Sequence, residues 1–181
     1  VRAGVLALQA IVARNVAPLD MAIISVGAIH AGEAPNVIPD SAEMRLSVRA
    51  LKPEVRDFLE KRITEVIHGQ AAVFGARAEI DYQRCYPVLV NDADMTAFAR
   101  QVALDWVGES GLVANMPPLT GSEDFAFMLE QCAGSYLIIG NGDGEGSCMV
   151  HNPGYDFNDD CLATGAAYWV KLTEAFLAKA D

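Results

Sequence analysis

Apolar residues recur along the chain with two different periods, and the changes of period divide it into elements. Val5, Leu8, Ile11 and Val12 fall at helical spacing, and Asn15 with Pro18 closes the segment, so a first helix is expected to run to about Arg14. Met21 to Ile29 is rich in Ile and Val and leads through His30-Ala31-Gly32 into a loop, as a strand would. Residues 43–50 alternate: Met44, Leu46, Val48 and Ala50 share one face, and Glu43, Arg45, Ser47 and Arg49 the other. That pattern predicts a half-buried strand aiming two arginines away from the core. Pro53 opens a second helix whose stripe is Phe58, Leu59, Ile63, Val66 and Ile67, ahead of Gly69 and Gly75. Ala78, Ile80 and Tyr82, set against Glu79, Asp81 and Gln83, predict a third strand.

The order helix, strand, strand, helix, strand becomes the split βαβ arrangement of ferredoxin-like domains if one strand is added in front. The chain opens Val1-Arg2-Ala3-Gly4-Val5-Leu6, with no Met, polar lead-in or cap, as though a helix were already in progress. It is therefore expected to be a piece of something longer, lacking that first strand. After Tyr86-Pro87 the pattern changes. Asn91, with Asp94 three residues on, is expected to cap a helix bearing Met95, Phe98, Val102 and Trp106. Leu112 to Ala114 reads as a short strand, Asp124 to Cys132 as a helix, Tyr136 to Ile139 as a buried strand and Leu162 to Leu177 as a closing helix. Such alternation belongs to part of an α/β layer. The expected class is α/β, with an α+β unit at residues 1–87 and a portion of an α/β layer at 88–181.

Composition narrows the partners. Thirteen Lys and Arg stand against 24 Asp and Glu, a net charge of −11, on a chain that is 52% apolar. Without a cation excess to neutralise phosphates, nucleic acid and anionic membranes are not expected as partners. No apolar run reaches the roughly 18 residues of a membrane span, and no basic segment precedes an apolar core at the start. Cys85, Cys132, Cys148 and Cys161 are separated by 46, 15 and 12 residues and form no CxxC pair. Reduced thiols in a cytoplasmic protein are expected, rather than disulfides or a structural zinc site.

Three loop segments carry more polar residues than a connection needs: 30–40 between two strands, 120–125 at a helix start, and 140–142 with 151–159 after the last strand. Loops at strand ends of an α/β layer are where ligands usually bind. His151 has the chemistry of a metal ligand, with nearby carboxylates and amides to orient its second ring nitrogen, or of a solvated loop histidine. Glu123 forms a T-x-x-E capping box with Thr120, or has a role in a site. Asn36 can present its amide to a carboxylate, or serve as turn chemistry after Pro35. Arg49, beside Arg45 on an outward strand face, suits a bidentate carboxylate clamp, a subunit contact or a solvated face. His30 and His68 read as structural, His68 lying in the last turns of the second helix.

Together these segments resemble a known family. The run Leu8-Gln9-Ala10-Ile11-Val12-Ala13-Arg14, Gly32, Asn36-Val37-Ile38-Pro39-Asp40-Ser41-Ala42 with Val48-Arg49, Gly121-Ser122-Glu123-Asp124-Phe125, His151-Asn152-Pro153 and Tyr155-Asp156-Phe157-Asn158-Asp159 is similar to the M20 metallopeptidases. Within them it is nearest the amidohydrolases acting on hippurate, N-acyl-amino acids and auxin conjugates. The resemblance implies a ferredoxin-like lid and dimerisation domain without its first strand at 1–87. It further implies, at 88–181, the C-terminal part of a zinc-peptidase-like catalytic domain. It implies hydrolysis of the amide bond of N-acyl-amino acids or related amides by a metal-activated water in the full-length parent, with Zn, Mn, Co or Ni as the divalent metal. His151 would be one metal ligand, and Asn36 and Arg49 would bind the substrate's free carboxylate across a homodimer. No catalytic residue is expected in this chain, since the remaining ligands and the water-activating carboxylate would lie in the N-terminal half. The 181 residues alone are expected to be inactive and not to retain metal. The alternative is a non-enzymatic lid-like module for dimerisation or binding.

Overall fold

The computed structural model describes residues 1–113, 115–144 and 147–178. The chain forms two compact units, Val1–Leu89 with Pro118–Ala126, and Val90–Pro117 with Phe127–Asp181. Helices and a small two-stranded sheet make up its regular structure.

In the first unit, helix α1 (Arg2–Asn15) leads to strand β1 (Ala22–His30), strand β2 (Glu43–Ala50) and helix α2 (Pro53–Val73). The strands pair antiparallel from Ala22↔Ala50 to His30↔Glu43, with one irregularity between Val26 and Ala28, where Gly27 supplies the extra residue of a bulge. Leu8 and Ile11 of α1, Ile24 of β1, and Val55, Leu59 and Ile63 of α2 form the buried core. Their spacing of three and four on the helices puts them on single stripes. Ala22, Val26, Leu46, Val48 and Ala50 pack beneath them from the sheet. The other sheet face carries Ser25, Arg45 and Ser47 in the open and Arg49 half buried, as the alternation requires. At Gly4 a side chain would meet Ile67 at 3.6 Å and Met44 at 3.7 Å, so the small residue lets α1 lie close to both elements.

Helix α2 starts at Pro53, whose missing N–H is no loss in the first turn. It runs through Gly69 to Val73, so His68 sits short of its last turn. Its end is a Schellman motif: the N–H of Ala76 donates to Ala71 O at 3.0 Å and that of Gly75 to Ala72 O at 3.1 Å. Gly75 takes the left-handed φ of +66° that this motif needs.

The third strand expected at 78–83 does not form a ladder. Ala78, Ile80 and Tyr82 are half buried while Glu79, Asp81 and Gln83 are exposed, so the alternation is realised. Among the described residues, however, the sheet has only β1 and β2. A strand needs a neighbour's N–H and C=O about 4.8 Å away, and side-chain periodicity cannot supply one. The segment is instead held by side chains: Tyr82 packs on the core, and Arg84 forms ion pairs with Asp57, at 2.6 Å, and Glu60 of α2.

In the second unit, helix α3 (Ala93–Val107) and helix α5 (Asp160–Ala178) pack together. Tyr168 and Ala99 are buried between them, with the Tyr168 hydroxyl donating to Ala99 O at 2.9 Å. Trp106 stacks on Tyr168 at 6.4 Å, and Phe98 meets Phe176 edge-on at 6.1 Å. The expected cap Asn91 is replaced by Asp92, whose carboxylate accepts from the N–H of Met95 at 2.9 Å. Asn91 is engaged elsewhere, accepting from Tyr136 N–H at 2.7 Å and donating to Tyr136 O at 3.0 Å.

That side-chain clasp stands where a strand partner would. Tyr136 to Ile139 is in no ladder, and Leu137, Ile138 and Ile139 are each more than 40% exposed, contrary to the buried strand expected there. The short strand expected at 112–114 is likewise absent at Leu112 and Val113, while Ala114 lies outside the described residues. The helix expected from Asp124 to Cys132 shortens to α4 (Phe125–Leu129). Among the described residues, no helix is long and apolar enough to cross a membrane.

Candidate functional site

Arg49 projects from the open face of β2, opposite Ile23 of β1, in the regular part of the ladder. It is half buried. Its Nη1 donates to the backbone carbonyl of Thr120 at 2.5 Å and its Nε to Ser47 Oγ at 3.3 Å. Both acceptors are neutral, and among the described residues no carboxylate pairs with Arg49. Its neighbour Arg45 behaves otherwise: it is tied to Glu43 at 2.6 Å, which lowers the Glu43 carboxyl below its ordinary range, chiefly through that hydrogen bond. One strand face therefore holds a neutralised arginine and one with its charge uncompensated by a local acid.

The contact to Thr120 brings the 120–125 segment, singled out from the sequence, to the arginine singled out from the same sequence. It also removes the capping-box reading. Thr120 lies too far before Phe125, the first residue of α4, to cap it. Glu123 is half buried, and its carbonyl, rather than its carboxylate, serves the helix start by accepting from Ala126 N–H at 3.3 Å.

Asn36 is exposed in the 31–42 connection, in a turn closed by Val37 N–H on Ala34 O at 3.4 Å. This connection leaves the hairpin at the His30↔Glu43 end, whereas Arg49 stands near the other end. The stretch of β2 from Glu43 to Arg49 covers roughly 20 Å at about 3.4 Å per residue. No hydrogen bond joins Asn36 to Arg49 among the described residues.

His151 belongs to the second unit. It is exposed, with a left-handed φ of 68°. The loop bearing it is closed at its base by Asn141 and Asn158: Asn158 N–H donates to Asn141 Oδ1 at 3.0 Å, and Asn158 Nδ2 to Asn141 O at 3.2 Å. Gly142, with φ +90°, lies against the same amide, where a side chain would come within 3.2 Å of Asn158 Nδ2. Beyond His151, Asn152 Oδ1 accepts from Gly154 N–H at 2.8 Å, an Asx turn. The carboxylates and amides expected to orient the imidazole do not reach it: among the described residues neither ring nitrogen has a hydrogen-bond partner.

Nor do three or more His, Cys, Asp or Glu side chains converge anywhere among the described residues in a way that could hold a metal ion. A two-metal centre needs several fixed ligands. The described residues do not bring such a set together. The thiols of Cys85, Cys132 and Cys161 donate instead to the carbonyls of Gln83, Met128 and Gly140. Sequence reasoning missed Ser47 as a partner of Arg49 and the Asn141–Asn158 clasp. The two asparagines lie inside segments already marked as polar, and the i, i+2 spacing of Ser47 and Arg49 on one strand face was a usable signal.

The profile of peptidase family M20/M25/M40 matches residues 5–175. Hippurate hydrolase of Campylobacter jejuni is 39% identical over 173 residues, 96% of this chain and 44% of that protein. IAA-amino acid hydrolase ILR1-like 5 of Arabidopsis thaliana is 32% identical over 179 residues, 96% of this chain and 41% of that protein. Among solved structures, the YXEP protein of Bacillus subtilis, described as a dinuclear metal binding peptidase from M20 family, superposes with a TM-score of 0.74. It is 26% identical, and the match covers 98% of this chain and 44% of that one. The chain thus spans less than half the length of the relatives it matches. With residues 5–175, nearly its whole length, matched by one profile, the chain belongs to peptidase family M20/M25/M40.

Proposed function

We propose that these residues are the C-terminal portion of an amidohydrolase that removes the acyl group from N-acyl-amino acids or related amides, with Arg49 binding the substrate's free carboxylate. The observation that carries the reading is the charge state of the β2 face. Arg49 is ordered by Thr120 O and Ser47 Oγ, both neutral, and so keeps a full positive charge for an incoming anion. Hippurate and the IAA-amino acids, the compounds after which the two relatives are called, are N-acylated amino acids that carry such a carboxylate.

Asn36 is proposed to meet the same carboxylate from a second copy, because one chain sets it at the far end of the hairpin from Arg49. The full-length protein is on this account a homodimer through the unit carrying β1 and β2. A strand from outside these residues would pair with 78–83, whose alternate burial is already that of a strand. His151 is proposed as one ligand of a divalent-metal centre completed by residues outside this chain. That metal would supply Lewis-acid chemistry.

Arg49→Gln in the full-length protein tests the reading. It should raise KM for N-benzoylglycine roughly 10- to 100-fold, the range for losing a charge-assisted hydrogen bond, and should spare the neutral carboxamide. An equal loss on both compounds, or none, would discard Arg49 as the carboxylate site. A non-enzymatic, lid-like module for dimerisation or binding is the second reading.

A further inference from the structure

We infer that Ser47 is a positioning residue for substrate recognition: its hydroxyl fixes the Arg49 guanidinium edge-on, so that the anion meets a single orientation of the arginine. This rests on the reading of Arg49 as the carboxylate site and deepens it.

The ladder from Ala22↔Ala50 to Val26↔Leu46 is regular, so Ser47 and Arg49, two residues apart, stand on the same face without slippage. The irregularity lies beyond them, between Val26 and Ala28. Ser25 faces Ser47 across the strands and Ile23 faces Arg49. The cross-strand neighbours of Arg49 and Ser47 are therefore uncharged, and among the described residues no carboxylate competes for the guanidinium.

An arginine has four rotatable side-chain bonds, and an unrestrained guanidinium loses that freedom on binding. Here Nε is held by Ser47 Oγ and Nη1 by Thr120 O. Nη2 has no partner among the described residues. With Nε and Nη1 each anchored, the remaining N–H groups of Nη1 and Nη2 are the donors left for the oxygens of a carboxylate. Ser47 thus sets which edge of Arg49 is offered, while contributing no charge.

The experiment uses the full-length protein and two substrates: the N-acyl-amino acid it turns over fastest in a panel starting from N-benzoylglycine, and the carboxamide of that compound. The quantity read is the preference for carboxylate over carboxamide in KM. Ser47→Ala should reduce this preference about 3- to 10-fold, as expected for one long hydrogen bond to a neutral acceptor. Ser47→Thr, which restores the hydroxyl on a strand-compatible side chain, should return it to the wild-type value. Equal weakening of both substrates by Ser47→Ala would mean a merely structural role and would overturn the inference, as would an unchanged preference or a failure of Ser47→Thr to rescue. Arg49→Gln run alongside separates the two levels. If it removes the preference and Ser47→Ala does not, only the present inference falls. If Arg49→Gln leaves the preference intact, the carboxylate-site reading falls and this inference with it.

Discussion

Single side chains set the chemistry of each unit. On β2, two arginines of one face differ because Glu43 stands beside Arg45 and, among the described residues, no acid stands beside Arg49. An exposed pair such as Arg45–Glu43 contributes little to stability; its effect here is to leave Arg49 as the uncompensated cation of that face. In the second unit Tyr168 is buried with its hydroxyl bonded to Ala99 O. Its phenol is pushed above the ordinary value of 10.0 by burial, so folding favours the neutral form. That contribution is fully present below the unfolded tyrosine value, near 10.0, and is lost as pH rises through the higher folded value. Tyr82 is raised in the same sense, again chiefly by burial. Tyr168→Phe should therefore show a shallower loss of stability above pH 10 than the wild type, without abolishing it. At neutral pH it should cost about 0.5–1.5 kcal/mol for the bond to Ala99 O. Denaturant titrations across that pH range check both. An unchanged alkaline slope would remove Tyr168 from the account.

At the scale of elements, neighbouring residues at the start of α3 do different work. Asp92 caps the helix, whereas Asn91 satisfies both backbone groups of Tyr136. Asp92→Ala should cost about 1 kcal/mol, as loss of a side-chain cap does. Asn91→Ala should cost more, about 1–3 kcal/mol, because it removes two hydrogen bonds to the half-buried backbone of Tyr136 rather than one cap. Chemical denaturation of the two variants ranks them, and a larger loss for Asp92→Ala would contradict the assignment. The sequence could not separate these roles, since both residue types cap helices and the partner of Asn91 lies 45 positions away. The strands at 78–83 and 136–139 failed for a related reason. Alternation or apolarity is local, while a ladder belongs to two segments at once. The helices with long apolar stripes, α1, α2 and α5, were legible because an α-helix closes its hydrogen bonds within itself. The five-residue α4 is too short for its limits to be read from periodicity.

For the whole molecule, a single candidate histidine ligand, His151, and no converging ligand set among the described residues predict that the 181 residues alone bind fewer than two metal ions per chain. Elemental analysis after dialysis against Zn or Mn measures this, and tight stoichiometric binding of two ions would contradict it. Several side chains of α5, namely Leu162, Trp169, Val170, Phe176 and Leu177, are more than half exposed, an apolar surface consistent with a chain spanning less than half of its relatives' length. Sequence by itself determined the α/β class, the first unit's two helices and hairpin, the family, and the polar segments worth attention. Each of these depends on local periodicity or on short ordered motifs. Tertiary structure alone decided that Arg49 meets Thr120, that the connection bearing Asn36 leaves the hairpin at its opposite end, and that among the described residues Arg49 has no acid and His151 no orienting partner. Those facts depend on which distant residues become neighbours, and a one-dimensional pattern carries no distances between segments far apart along the chain.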